Sequence, residues 1–146
     1  MASSPQARSP EAWLAEAQAA QRSGRGGDAA RILEAASAAH PGHPAILNAQ
    51  GVQALRAGDA AAARAFHAAA AEADPGAAQL WINLAAACRA LRDDAGEQVA
   101  LERALEADQR AFMALLRLAE LHERRGEHAL ATPRWSAVLQ PARSHR

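Results

Sequence analysis

A few groups of residues in this 146-residue chain have types and spacings that chemistry could use. His40 and His43 stand in the H-x-x-H spacing of a metal-binding turn, but their loop contains Pro41-Gly42 and has no cysteine or third ligand nearby. Two imidazoles do not complete a zinc site. His122-Glu123 begins like a zinc-peptidase helix, yet the second histidine would have to be residue 126, which is Gly126. Gly24-Arg25-Gly26-Gly27 has no lysine and follows a helix signal, so it does not cradle phosphate. Cys88 has no activating neighbour and is expected as a buried, inert thiol. Asp93-Asp94 reads as a helix cap. The expectation is a non-enzymatic chain with no catalytic residue, cofactor or metal. Side chains suited to holding a partner remain: Asn48, Asn83 and Arg117, where arginine offers a planar, bidentate fork to a carboxylate or a peptide carbonyl.

Such residues need elements to present them, and the elements come from a repeat. Four 34-residue blocks fit end to end: Pro10–His43, Pro44–Ala77, Ala78–Ala111 and Phe112–His145. Trp13, Leu47, Trp81 and Leu115 fall in register, as do Ala17, Gly51, Ala85 and Ala119, and Ala36, Ala70, Ala104 and Val138. Pro41 and Pro75 close the first two blocks, and Gln109 stands at the third such place. A fixed period of this length marks stacked supersecondary units, which cannot bury their apolar faces alone.

Each block reads as two antiparallel helices. Ser9-Pro10-Glu11 is a helix start, with a serine cap, proline in the first turn and an early acid. This helix runs to about Ser23, and Asp28 is expected to cap the second. Gly58-Asp59, Arg92-Asp93-Asp94 and Gly126-Glu127 divide the later blocks. Trp81, Leu84, Ala85 and Cys88 have the i, i+3, i+4, i+7 spacing of a helical core stripe, and Leu115, Leu118, Ala119 and His122 repeat it. Ala29–Leu33–Ala36 and Leu101–Ala104–Leu105 supply partner stripes.

Composition agrees with helices. The sequence contains 44 alanines and only 3% aromatic residues. Alanine loses no side-chain entropy in a helix but buries little area, so Trp13, Phe66, Trp81, Phe112 and Trp135 are expected to carry much of the packing. The 16 basic residues, all arginine, balance 16 acidic ones, which argues against a general nucleic-acid binder. The absence of an 18-residue apolar run argues against a membrane span, and one cysteine excludes an internal disulfide. MASSPQARSP lacks a secretory h-region and reads as a disordered lead over residues 1–9, and a cytoplasmic location is expected.

Three departures from the repeat carry expectations. Glu97 stands where a small residue belongs at a close helix crossing, so its helix is expected to start late or to turn Glu97 outward. Thr132-Pro133 predicts either a late start of the last helix or a kink near Ala129. His67, at a large apolar position, is expected as a core histidine with one polar partner.

The period, the helix–turn–helix unit and the landmark set resemble tetratricopeptide repeats over about 136 residues. The resemblance implies an all-α, right-handed solenoid forming one domain over residues 10–145. Its first helices line a concave groove that binds peptides or extended segments. Groove residues are then Gln18; Asn48, Val52 and Arg56; Gln79, Ile82, Asn83, Ala86 and Arg89; and Met113, Leu116, Arg117, Glu120 and Arg124. Chaperone-binding members of the family clamp a C-terminal carboxylate with Lys, Asn, Asn, Lys and Arg. Only Asn83 and Arg117 match that clamp, Asn48, Val52 and Met113 occupy the other positions, and the chain has no lysine, so a more mixed peptide is expected. Asp108–Gly126 is also similar to the repeat region of bacterial aspartyl/asparaginyl β-hydroxylase-like proteins, which implies a second role as a non-catalytic arm. Leu130, Trp135, Val138 and Leu139 leave an apolar edge, and self-association through it is the third expectation.

Overall fold

The computed structural model describes residues 8–139, without the side chain of Leu139, and contains eight helices and no strand among them. They are α1 (Pro10–Arg22), α2 (Gly26–Ala39), α3 (Pro44–Arg56), α4 (Ala60–Ala73), α5 (Ala78–Ala90), α6 (Asp94–Ala107), α7 (Phe112–Arg124) and α8 (His128–Leu139). A 13-residue helix, a three-residue turn, a 14-residue helix and a four-residue link account for the 34-residue period. Contacts cluster into two compact units, residues up to Asp74 and residues from Pro75, so the boundary falls in the link between the second and third blocks. Each unit holds two helix pairs, with α2 packed on α3 in the first and α6 on α7 in the second. Residues 1–7 of the expected lead and 140–145 of the fourth block lie outside the described residues.

Side-chain caps set three of the helix starts. Ser9 Oγ accepts from the Ala12 amide at 3.1 Å, Asp59 from Ala62 at 3.0 Å, and Asp93 from Gly96 at 3.0 Å, each satisfying a first-turn donor. α2 differs from expectation. It begins at Gly26, two residues before the expected cap, and Asp28 sits inside its first turn as an ion-pair partner of Arg31. The carboxylate then favours the helix N-terminus through its charge. Each three-residue turn has its left-handed residue at the equivalent place: Gly24, Gly58 and Gly126 have φ of 74°, 85° and 72°. In the third block the same conformation is forced on Arg92, with φ of 58°.

In the first unit Trp13, Ala36 and Ile46 form a buried cluster, flanked by Leu14, Ile32 and Ala39. The Arg8 guanidinium lies 3.8 Å over the Trp13 ring, and His40 Nε2 is 2.7 Å from the Arg8 carbonyl, so Arg8 packs on α1. His67 is buried, as expected, with Nδ1 3.1 Å from Asn48 Oδ1. Gly51 makes this possible: a Cβ there would lie 2.6 Å from His67 Cε1. In the second unit Trp81 is buried and donates from Nε1 to the Pro75 carbonyl at 2.9 Å.

Three expectations are corrected. α6 does not start late and Glu97 does not turn outward: it is 1% exposed, and Arg124 Nη2 on α7 donates to its Oε1 at 3.0 Å. A cross-helix cation keeps the buried carboxylate in place. For α8, one of the two expected alternatives, the late start, is excluded. The helix begins at His128 and passes through Pro133, with the Thr132 hydroxyl donating to the His128 carbonyl at 2.9 Å. Phe112 does not pack in the core and is 48% exposed. The register explains this, since it is the first residue of α7, equivalent to Pro10 and Pro44 at the rim of their helices.

Candidate functional site

The candidate residues fall into two hollows of different chemistry, one in each unit. In the first unit Gln18, Asn48 and Val52 line a hollow with Leu14, Gln53 and Arg56. Helical spacing puts them there: Leu14 and Gln18 are one turn apart on α1, and Asn48, Val52 and Arg56 are successive turns of α3. Its polar groups are mostly uncharged amides. Asn48 is tied to His67, and Gln53 Nε2 donates to the Gly26 carbonyl at 3.3 Å.

In the second unit Met113, Leu116, Arg117 and Glu120 line a hollow with Arg89 and Arg124. Here three guanidinium groups face one carboxylate, and the way each is engaged decides what the hollow can bind. Arg124 is committed, at 3.0 Å from Glu97 and 3.4 Å from Asp94 Oδ1. Arg89 and Glu120 approach to 3.8 Å across exposed side chains, a distance at which an ion pair is weak and solvated. Arg117 is half-buried, with its Nε shielded from solvent and without a hydrogen-bond partner. No ion pair engages it among the described residues. The Arg117 charge is therefore unneutralised, and an incoming carboxylate or carbonyl that meets the open side of its guanidinium gains a charge-assisted hydrogen bond.

Burial pushes the Glu97 carboxyl above the usual carboxylate range, while the charge and hydrogen bond of Arg124 pull it back. Arg117 is the cation of this hollow that no ion pair engages among the described residues.

A second depression of the same unit adjoins the first through Met113. Ile82 and Gln79 of α5 line it together with Phe112 and Met113 of α7, beside the small residues Gly76, Ala77 and Ala78. Ile82, expected as a groove contact, is 7% exposed and forms the floor. Asn83 accepts from Gln79 Nε2 at 2.9 Å, so part of its capacity is used within α5. Asn48 and Arg117 belong to different hollows. Phe112 is a lining residue that the expected groove set lacks, whereas Arg124 was expected and is found in the second hollow. The register carried a signal for Phe112, a rim position; nothing in the sequence pairs Arg124 with a residue 27 positions away.

Four members of the expected edge fall on α8. Leu130 is 53% exposed, Trp135 and Val138 are half-buried, and the Leu139 side chain lies outside the described set. His122 is buried, with Nδ1 3.5 Å from Glu127 Oε2 and not aligned for a hydrogen bond. Among the described residues no helix is long and apolar enough to cross a membrane.

Known structures share this architecture. A MamA double mutant superposes with a TM-score of 0.81 at 19% identity, over 92% of this chain and 76% of that one. Another MamA structure gives 0.80 at 18%, over 89% and 71%. The first repeat domain of Spaghetti (RPAP3), solved bound to the HSP90 peptide SRMEEVD, gives 0.73 at 17%, over 80% and 93%. At these identities the likeness is one of fold. No curated protein matches the sequence. The tetratricopeptide repeat family model matches residues 14–78 and 98–142, which together make up most of the chain, and the helix pairs repeat with its period. The chain belongs to the tetratricopeptide repeat family.

Proposed function

We propose that this protein is a non-catalytic interaction scaffold that binds an extended segment of a partner protein on the α5–α7 face of its second unit. The observation that carries the reading is Arg117, a half-buried cation that no ion pair engages among the described residues, beside the apolar Met113 and Leu116. A groove with a few convergent polar groups on an apolar floor suits an extended peptide. The family supports the reading in kind, since one structural neighbour was solved with a peptide bound. The amide-lined hollow of the first unit, with Gln18, Asn48 and Val52, supplies further hydrogen-bonding capacity for peptide backbone.

Selection from a random-peptide display library on the immobilised chain tests this. Enriched peptides are expected to lose binding to Arg117→Ala while the helical circular dichroism is unchanged. Enriched peptides that bind Arg117→Ala as well as the parent would sink the assignment of this face.

Leu130, exposed on α8 near half-buried Trp135 and Val138, favours a second reading, self-association through that helix. Sedimentation velocity over a wide concentration range decides it. A monomer throughout, or association that survives Leu130→Glu, removes this reading.

A further inference from the structure

Phe112, which the register places at the rim of α7, is a large apolar residue left open there. A phenylalanine kept 48% exposed beside Met113 at 39% sets an apolar patch at the rim of α7, above the buried Ile82. The opposite wall is low because Gly76, Ala77 and Ala78 have little or no side chain. A depression with an apolar floor and a low wall can admit one large apolar side chain from outside.

Its neighbour along α7 defines what else the occupant carries. Met113 and Arg117 are one helical turn apart, about 6 Å along the axis at roughly 1.5 Å per residue. In an extended segment, residues i and i+2 point to the same face and lie about 6.6 Å apart, at roughly 3.3 Å per residue. The two distances match. We infer, building on the scaffold reading above, that the occupant is an extended partner segment with a large apolar residue two positions from an aspartate or glutamate. The apolar side chain enters the Ile82–Phe112–Met113 depression and the acid reaches Arg117.

Charge complementarity selects one acid. Arg124 is already held by Glu97 and Asp94, Arg89 faces Glu120 at a longer distance, and Arg117 has no ion pair among the described residues. The geometry also favours a side-chain carboxylate over a chain terminus. A side chain at i+2 projects towards the surface from the same edge as the apolar anchor, whereas a terminal carboxylate continues the line of the backbone.

The test uses the intact chain and a random dodecapeptide display library in which every peptide is followed by a fixed linker, so that no free C-terminus is offered. Enriched sequences are expected to share a large apolar residue two positions from Asp or Glu. The best of them, synthesised with a fluorescent label and an amidated C-terminus, is expected to lose about tenfold or more in affinity when its acid is made the amide, and similarly when its apolar anchor is made serine. Phe112→Ser combined with Met113→Ser is expected to erase the anchor's contribution, and Arg117→Gln the acid's. Gly76→Leu gives an independent block, since a Cβ there meets nothing within 4 Å and the added side chain can grow into the depression. Enriched peptides without the spaced pair, or insensitive to both Phe112→Ser/Met113→Ser and Gly76→Leu, overturn the inference. If those peptides still depend on Arg117, the scaffold reading stands without it. If no peptide is enriched, both fall.

Discussion

At residue scale, the most demanding contact in the first unit is His67 against Gly51. The repeat elsewhere pairs Leu33 with Ala17 and Leu101 with Ala85, so the second block has exchanged a larger cavity for an imidazole and its Asn48 partner. Gly51→Ala would put a Cβ at 2.6 Å from the ring, and the helix propensity gained by alanine is smaller than the cost of overpacking. We expect a net loss of about 1–3 kcal/mol by urea denaturation. Adding His67→Leu should recover most of it, because that pair restores the arrangement of the first and third blocks. His67 also makes stability depend on pH. Burial lowers its affinity for a proton below the ordinary value of 6.5, so the unfolded chain binds the proton more readily. Its contribution is full above that value and is lost as pH falls through it towards the lower folded value. The slope of the urea midpoint against pH in this range should be smaller in His67→Leu than in the parent; equal slopes would refute the assignment.

At element scale, Arg92 and Glu97 show how one block can depart from its siblings and keep the same backbone. Arg92 adopts the left-handed turn that Gly24, Gly58 and Gly126 adopt without a side chain. Arg92→Gly should therefore raise stability by about 1 kcal/mol, read from thermal unfolding. Glu97 replaces the small residues Ala29, Ala63 and Ala131 of the other second helices and is held by Arg124. Removing only the cation leaves a buried carboxylate. Arg124→Ala is expected to cost about 3 kcal/mol, with the double variant Arg124→Ala/Glu97→Ala losing much less. Because burial raises the Glu97 pKa from 4.5, its protonated form suits the folded state, and the Arg124→Ala penalty should shrink as pH falls towards 4.5. A penalty independent of pH would show that charge is not its origin. The helix starts at Ser9, Asp59 and Asp93 were legible because capping is a local interaction between residues three apart. The Glu97–Arg124 pair was not, because it joins residues 27 apart and nothing in helical periodicity selects that partner.

At the scale of the whole molecule, contacts cluster within two units and not along the full chain. Repeat proteins gain stability from neighbouring interfaces, so a local defect need not spread evenly. Gly51→Ala is expected to lower amide hydrogen-exchange protection in α3 and α4 more than in α6 and α7; equal loss in all four would contradict the division. The sequence by itself determined the family, the eight helices and their order, because a 34-residue period with a matching apolar stripe is written in residue types. It also named Arg117. It could not reveal which candidate cations are already paired, or that the candidates divide between two hollows. Those facts depend on how side chains from different helices meet, and only tertiary packing sets which charge is neutralised and which apolar surface is left uncovered.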